Sequence, residues 1–197
     1  MLRRMETVIK ALAENKISDV ISFTPKKLLT VKYNGKDLNI NDTLTPTVVQ
    51  NKPEVHWEAK NDELYTLIFD DPDAPTRSDP KFGQWKHWLV TNIKGNDIST
   101  GQELAKYIGS GPPPNTGLHR YIFILCKQPG NQNIKFNGEH ILPITGDLRN
   151  NWNAETFIKK WNLEPEAINF FQAEYDDYVP QLYAKLGESK EKPVEIN

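Results

Sequence analysis

The chain has 197 residues, of which 38% are hydrophobic and 25% charged, with a formal net charge of −2. That is enough apolar material for one domain with a proper core, and too balanced a charge for bulk attraction to nucleic acid or a membrane surface. Any anion site must be local. The single cysteine, Cys126, excludes an internal disulfide framework and fits a reducing, cytoplasmic address. Met1 to Arg4 is basic, but no apolar segment follows it, Glu6 and Glu14 argue against a transit peptide, and no run reaches the length of a membrane span.

In chain order, Met5, Val8, Ile9, Leu12 and Ala13 fall on one helical face and predict an amphipathic docking helix near residues 5–16. Leu28 to Tyr33 and Asp37 to Ile40 flank Asn34-Gly35, a pair suited to a tight hairpin because both tolerate positive φ. Val55 and Trp57 alternate around His56, and Leu64 to Phe69 follows as an apolar strand. Strands and turns recur without long intervening helices, so the fold class is mainly β.

The chain then reaches Asp71-Pro72-Asp73-Ala74-Pro75-Thr76-Arg77. Each proline fixes its own φ and drives the residue before it out of the α region, so this stretch is a stiff corner. It leads to a strand from Trp85 to Ile93. Strict alternation puts Trp85, His87, Leu89 and Thr91 on one face and Lys86, Trp88, Val90 and Asn92 on the other. From Asn96 to Tyr107 no element is legible. Gly109-Ser110-Gly111-Pro112-Pro113-Pro114-Asn115-Thr116-Gly117 is a loop in which glycines allow close backbone approach and prolines lock the path, and its free N–H groups suit an anion nest. It delivers a strand to Cys126 with His119, Tyr121, Phe123 and Leu125 on one face and Arg120 on the other.

Asn153 is placed to cap a short helix bearing Phe157 and Trp161, with Lys159 and Lys160 on its solvated side. Ile168 to Tyr175 reads as a strand, and Asp176 or Asp177 as the cap of a helix carrying Tyr183 and Leu186. From Glu188 the chain is polar and charged, which predicts a single domain over 1–187 and a disordered tail over 188–197.

The chemistry-bearing residues divide by context. His56 and His140 read as packing residues. His87 and His119 each follow a glycine- or proline-rich loop and share a face with an aromatic, so they read as ring N–H donors to a phosphate. Two histidines and a distant carboxylate lack the close spacing of a metal motif, and no cofactor is implied. Asp73 is a local partner for Arg77, and Arg120 reads as structural. Cys126 suits inert burial. Ser110 lacks the strand–turn–helix context of a nucleophile elbow, so a non-catalytic protein is expected.

The motif from Asp71 to Arg77 with His87 downstream, then Gly109-Ser110-Gly111-Pro112-Pro113 and Gly117-Leu118-His119-Arg120-Tyr121, resembles the two signatures of the phosphatidylethanolamine-binding protein family, whose animal members are also called Raf kinase inhibitor proteins. The likeness runs from the Leu28 strand to Asp176-Asp177-Tyr178-Val179-Pro180-Gln181-Leu182-Tyr183. It implies an antiparallel β-sandwich with a few short peripheral helices and a small anion pocket. By the same resemblance, Asp71, Ala74, Pro75, Phe82, Trp85, His87, Gly109, Gly111, Pro112, Pro113, His119, Tyr121, Tyr183 and Leu186 line that pocket, and Ala74–Pro75 is cis. Many relatives carry a tyrosine where this chain has Phe82, so one hydroxyl to the ligand is missing.

The ligand so implied is a phosphate-bearing small molecule or the phosphatidylethanolamine head group. The implied partner is a Raf-like protein kinase or, as in other branches, a serine protease, with the chain acting as a monomer. Asp71 is expected to accept a hydrogen bond from His87 and favour its protonated form, making anion binding tightest in mild acid.

Overall fold

The computed structural model describes the backbone from Leu2 to Asn197 and the side chains from Met5 onward. The chain runs α1 (Leu2–Glu14), β1 (Lys27–Leu28), β2 (Thr30–Tyr33), β3 (Lys36–Asp37), β4 (Asp42–Thr43), β5 (Glu54–His56), β6 (Leu64–Asp71), β7 (Trp85–Lys94) and β8 (Gln102–Ala105). It continues with β9 (His119–Lys127), β10 (His140–Ile141), α2 (Ala154–Lys160), β11 (Glu164–Ala173), α3 (Val179–Glu188) and β12 (Val194–Glu195). No helix among the described residues is long and apolar enough to cross a membrane.

The main sheet has the order β1-β11-β9-β6-β7-β8, with β4 also on β11. Its long strands pair antiparallel, while the two-residue strands β1 and β4 run parallel to β11. A small sheet, β3-β2-β5, covers one face of the main sheet. Leu29, Val31, Tyr33 and Val55 pack there with Leu67, Phe69, Phe123 and Phe171. The other face meets α1, α2 and the loop carrying Phe136, through Ile68, Leu89, Ile122 and Ile124. This is a β-sandwich with a helical layer behind it. Both faces of the middle strands are covered, so every residue of β6 is buried and the polar-out half of an alternating strand is missing. Phe69 and Phe123 stack with centroids 4.1 Å apart and an interplanar angle of 6°.

Several local expectations hold in detail. Asn34 (φ 53°) and Gly35 (φ 74°) make the β2–β3 turn. Asn153 Oδ1 accepts from Thr156 N at 2.8 Å and starts α2. Cys126 is fully buried, and that burial pushes its thiol well above the ordinary range.

Others are corrected. The segment left unassigned before Tyr107 contains β8. The last long strand starts at Glu164, ahead of Ile168, and ends at Ala173. The cap expected at Asp176 or Asp177 is not formed: Tyr178 is the N-cap of α3, without a side-chain cap, and Asp176 Oδ1 accepts from Tyr178 N at 3.0 Å in the turn before it. The polar tail is not without structure: Val194 pairs with Ile141 and Glu195 with His140. His56 is an exposed side chain 3.5 Å from Glu54, not a packing residue. The strict alternation in β7 fails as well. Phe69 pairs with Trp88 and Asp70 with Lys86, so His87 is the extra residue of a β-bulge. Across that bulge His87 and Trp88 both address the face of Phe69, whereas Leu89 packs on the helical side.

Asp70, at 1% exposure, lies one residue before the corner, and neither carboxyl oxygen has a hydrogen-bond partner among the described residues. Burial first, then the charges of Asp71 and Asp73, raise its pKa well above the carboxylate range. The stability carried by this proton is complete below the unfolded value near about 4 and is lost as pH rises toward the folded one. Asp70→Asn removes that loss. Its advantage over the parent in urea unfolding should widen by roughly 1.4 kcal/mol per pH unit between about pH 5 and 7. An equal difference at both pH values would show that Asp70 is ionised in the fold.

Candidate functional site

Three strand ends meet at one end of the main sheet. Asp71 closes β6, Trp85 opens β7 and His119 opens β9. Antiparallel pairing brings the exit of β6 beside the entrances of its two neighbours. The corner turns through Ala74–Pro75, which is cis, and is held by Asp73. Asp73 Oδ2 accepts from Arg120 N at 2.8 Å and Nε at 2.9 Å, and Oδ1 accepts from Arg120 Nη2 at 2.5 Å. Arg120 Nη1 reaches on to Lys16 O at 2.7 Å. Arg77 therefore does not pair with Asp73; it donates to Asn15 O at 2.7 Å, because Arg120 already fills both Asp73 oxygens.

These ends floor a cavity of about 260 Å³. Every residue that the resemblance implies lines it except Pro112, which is buried in the loop without reaching the cavity. Ile108, Gly146, Asn150 and Leu182 line it as well and were not foreseen. Gly146 and Asn150 lie in a polar loop whose local sequence carries no site signal. Leu182, one turn before Leu186 on α3, was within reach of helical periodicity.

The floor differs from the expected relay. Asp71 contacts His119, not His87: Oδ2 lies 2.8 Å from His119 Nδ1, and Oδ1 accepts from Asp73 N at 2.7 Å. Thr116 Oγ1 donates to Pro113 O at 2.8 Å, so its lone pair accepts from His119 Nε2–H at 2.9 Å. Both ring nitrogens of His119 are thus engaged within the protein. Asp71 and His119 hold a proton between them across this contact. Burial raises the Asp71 pKa against the lowering effect of His119.

His87 Nδ1 donates to Ile108 O at 2.8 Å, which leaves Nε2 as an acceptor. Its ring packs 4.4 Å from Trp85 and 5.3 Å from Phe69 and from Tyr121, centroid to centroid. Burial drives its pKa down to about 3. His87 is therefore neutral, and the expected histidinium is absent because the bulge turns the ring into an aromatic box away from Asp71.

Donors remain. The Tyr121 hydroxyl is fully buried at the cavity and has no partner among the described residues. The N–H groups of Gly109, Ser110 and Gly111 find no carbonyl in the backbone network. Around the floor, Phe82 (44% exposed), Leu186 and Tyr183 form an apolar rim, and Tyr183 OH donates to Gly111 O at 2.7 Å, tying α3 to the loop. Ser110 is fully buried and does not line the cavity, so it offers no nucleophile there.

A β-sandwich with a polar floor and an apolar rim at one end of its strands is a small-ligand binding module. The family model for phosphatidylethanolamine-binding protein matches residues 20–171. The chain is 34% identical over 172 residues to putative odorant-binding protein A5 of Drosophila melanogaster, covering 86% of this chain and 81% of that protein. Among solved structures it is similar to the solution structure of CG7054, at 43% identity over 85% of this chain and 96% of that one, with a TM-score of 0.69. It is also similar to a carboxypeptidase Y inhibitor seen in complex with its cognate proteinase, at 26% identity over 87% of this chain and 96% of that one, with a TM-score of 0.75. The chain belongs to the phosphatidylethanolamine-binding protein family.

Two substitutions separate floor from scaffold. A Cβ on Gly109 would stand 2.4 Å from the backbone oxygen of Val49, whereas one on Gly111 would meet Leu182 Cδ2 at 2.7 Å. Gly109→Ala should therefore cost several kcal/mol of stability, on the order of 3, because backbone must move. Tyr121→Phe should leave the thermal midpoint of the free protein unchanged or slightly raised, since the hydroxyl has no partner to lose. Its affinity for a phosphate ligand should fall about fivefold to tenfold.

Proposed function

We propose that the cavity binds the phosphate-bearing head group of a phospholipid, or a small phosphorylated ligand of the same chemistry, without catalysis. The observation that carries this reading is the set of donors at its floor, the Tyr121 hydroxyl and the amides of Gly109 and Gly111, beneath an apolar rim. At about 260 Å³ the cavity falls below the roughly 300–1,000 Å³ typical of whole-ligand pockets, which favours a head group over an entire lipid. Nothing in the floor presents an activated nucleophile, since Ser110 is turned away and both nitrogens of His119 are occupied.

In this reading the head-group cavity serves regulation, with a Raf-like protein kinase as the partner docking across the rim. The likeness to a carboxypeptidase Y inhibitor complexed with its proteinase supports a second reading, inhibition of a serine protease. Calorimetry with glycerophosphoethanolamine tests the cavity, and a one-to-one isotherm lost on adding excess inorganic phosphate is expected. Co-precipitation separates the partners: recovery of a kinase, released by excess phosphoethanolamine, supports the first, and dose-dependent loss of protease activity supports the second.

The rim adds a finer test. Phe82→Tyr restores a hydroxyl at the mouth and should tighten glycerophosphoethanolamine about threefold to tenfold, the worth of one hydrogen bond. An unchanged isotherm would place the head group beyond reach of residue 82.

A further inference from the structure

A cation taken out of water needs a counter-charge or a complete set of acceptors. Arg149, in the loop between β10 and α2, is fully buried and spends its N–H groups on carbonyl oxygens alone. Nε donates to Thr145 O at 2.7 Å, Nη1 to Lys86 O at 2.8 Å and His87 O at 3.2 Å, and Nη2 to Lys106 O at 2.8 Å and Pro143 O at 2.7 Å. It enters no ion pair among the described residues, unlike the other buried arginine, Arg120, which has Asp73. Its guanidinium carbon stands 5.4 Å from the centroid of Trp85, a wall of the cavity.

The other charges around the cavity are paired or point elsewhere. Asp71 on β6 is bonded to His119 on β9, and Asp73 is paired with Arg120. Burial holds Tyr121 on β9 and Tyr183 on α3 above the ordinary phenol range, so both are neutral. His87 on β7 is neutral through burial, with the charge of Arg149 acting in the same direction. Lys86 turns its ammonium over Trp152, 4.9 Å from the ring centroid, and the nearest carboxylate influence on it is Glu139. One positive charge without a carboxylate remains behind the cavity wall.

We propose that Arg149 is the fixed positive charge of the cavity, a positioning residue that does not touch the ligand but takes the bound phosphate group as its counter-ion. Anion selection then comes from a guanidinium that burial lowers only to about 9, and not from protonation of a histidine. This rests on the head-group reading above and deepens it. It also resolves a difficulty in that reading, since an anion would otherwise enter a site whose floor bears a carboxylate and no net cation.

The test is titration of the full-length chain with glycerophosphoethanolamine, a phosphodiester that does not titrate near neutrality. Between pH 5.5 and 8 the parent's affinity should change by less than about threefold, whereas a site needing a histidinium loses about tenfold per unit above its pKa. Arg149→Gln should weaken binding on the order of tenfold, the effect of a unit charge acting over roughly 10 Å at an effective dielectric near 20. Arg149→Lys keeps a charge but not the fork, and burial lowers a lysine here as it lowers Lys86, to about 8, so this variant should stay within about threefold of the parent at pH 5.5. Nitrogen-15 spectra of His87 add a signature that a purely structural role would not move: its titration should shift upward in Arg149→Gln and stay in place in Arg149→Lys.

Should Arg149→Gln fail to fold, the parent's pH profile and the lysine variant still decide. A parent that does not bind the diester overturns the head-group reading itself. A parent that binds it but weakens tenfold per pH unit, a folded Arg149→Gln with parental affinity, or a folded Arg149→Lys as weak at pH 5.5 as the expected Gln variant, overturns only the role of Arg149.

Discussion

The pairing of Asp73 with Arg120 is the constraint on which the site depends. It joins the proline corner after β6 to the second residue of β9 through three hydrogen bonds, and Arg120 extends the tie to the carbonyl of Lys16 just beyond α1. Asp71 lies two residues before Asp73 and His119 one before Arg120, so their 2.8 Å contact inherits its alignment from this neighbouring pair. Losing one partner would strand the other charge in a buried place, at a cost of about 3–5 kcal/mol. The pair therefore specifies geometry more than it adds stability, because an apolar replacement of both could fold and still leave the floor out of register.

Every buried acid at the cavity end of the sheet except Asp70 has a partner. Asp71 is bonded to His119, the second histidine is kept uncharged by burial among aromatic rings, and the corner acid is paired with arginine. What the ligand meets is a floor of dipoles and hydrogen-bond donors, aimed before it arrives. Binding to such a surface requires little reorganisation, which is the usual route to affinity in a small cavity.

Much of this was legible in the sequence, and the failures have identifiable causes. The Asn34-Gly35 turn, the Asn153 cap and the alternation of His119 to Leu125 rest on local chemistry, and local chemistry decided them. The resemblance carried the cavity lining almost whole. The hydrogen-bond partners were another matter. Alternation put His87 on one face with Trp85 and Leu89, and a bond to Asp71 was expected of it, but a bulge inserts one residue against Asp70 and re-aims the ring; nothing in Trp85-Lys86-His87-Trp88 announces it. Asp73 chose Arg120 over the nearer Arg77 because the strand register supplies a backbone N–H at the same oxygen. Arg149 was invisible, since its carbonyl partners come from β7, from the segment after β8 and from its own loop, and carbonyls leave no trace in composition.

The floor and the rim of the cavity are built from different material. The floor hangs on strand ends packed on both faces, where a change in one side chain disturbs two layers at once. The rim, Phe82, Asn150, Tyr183 and Leu186, is half-buried or exposed on loops and on α3. Substitutions there cost the fold little, so the two parts are free to diverge at different speeds. A lineage carrying this scaffold can exchange the outer ring of residues and acquire a new clientele, while the floor beneath it is held in place by the packing of the sheet.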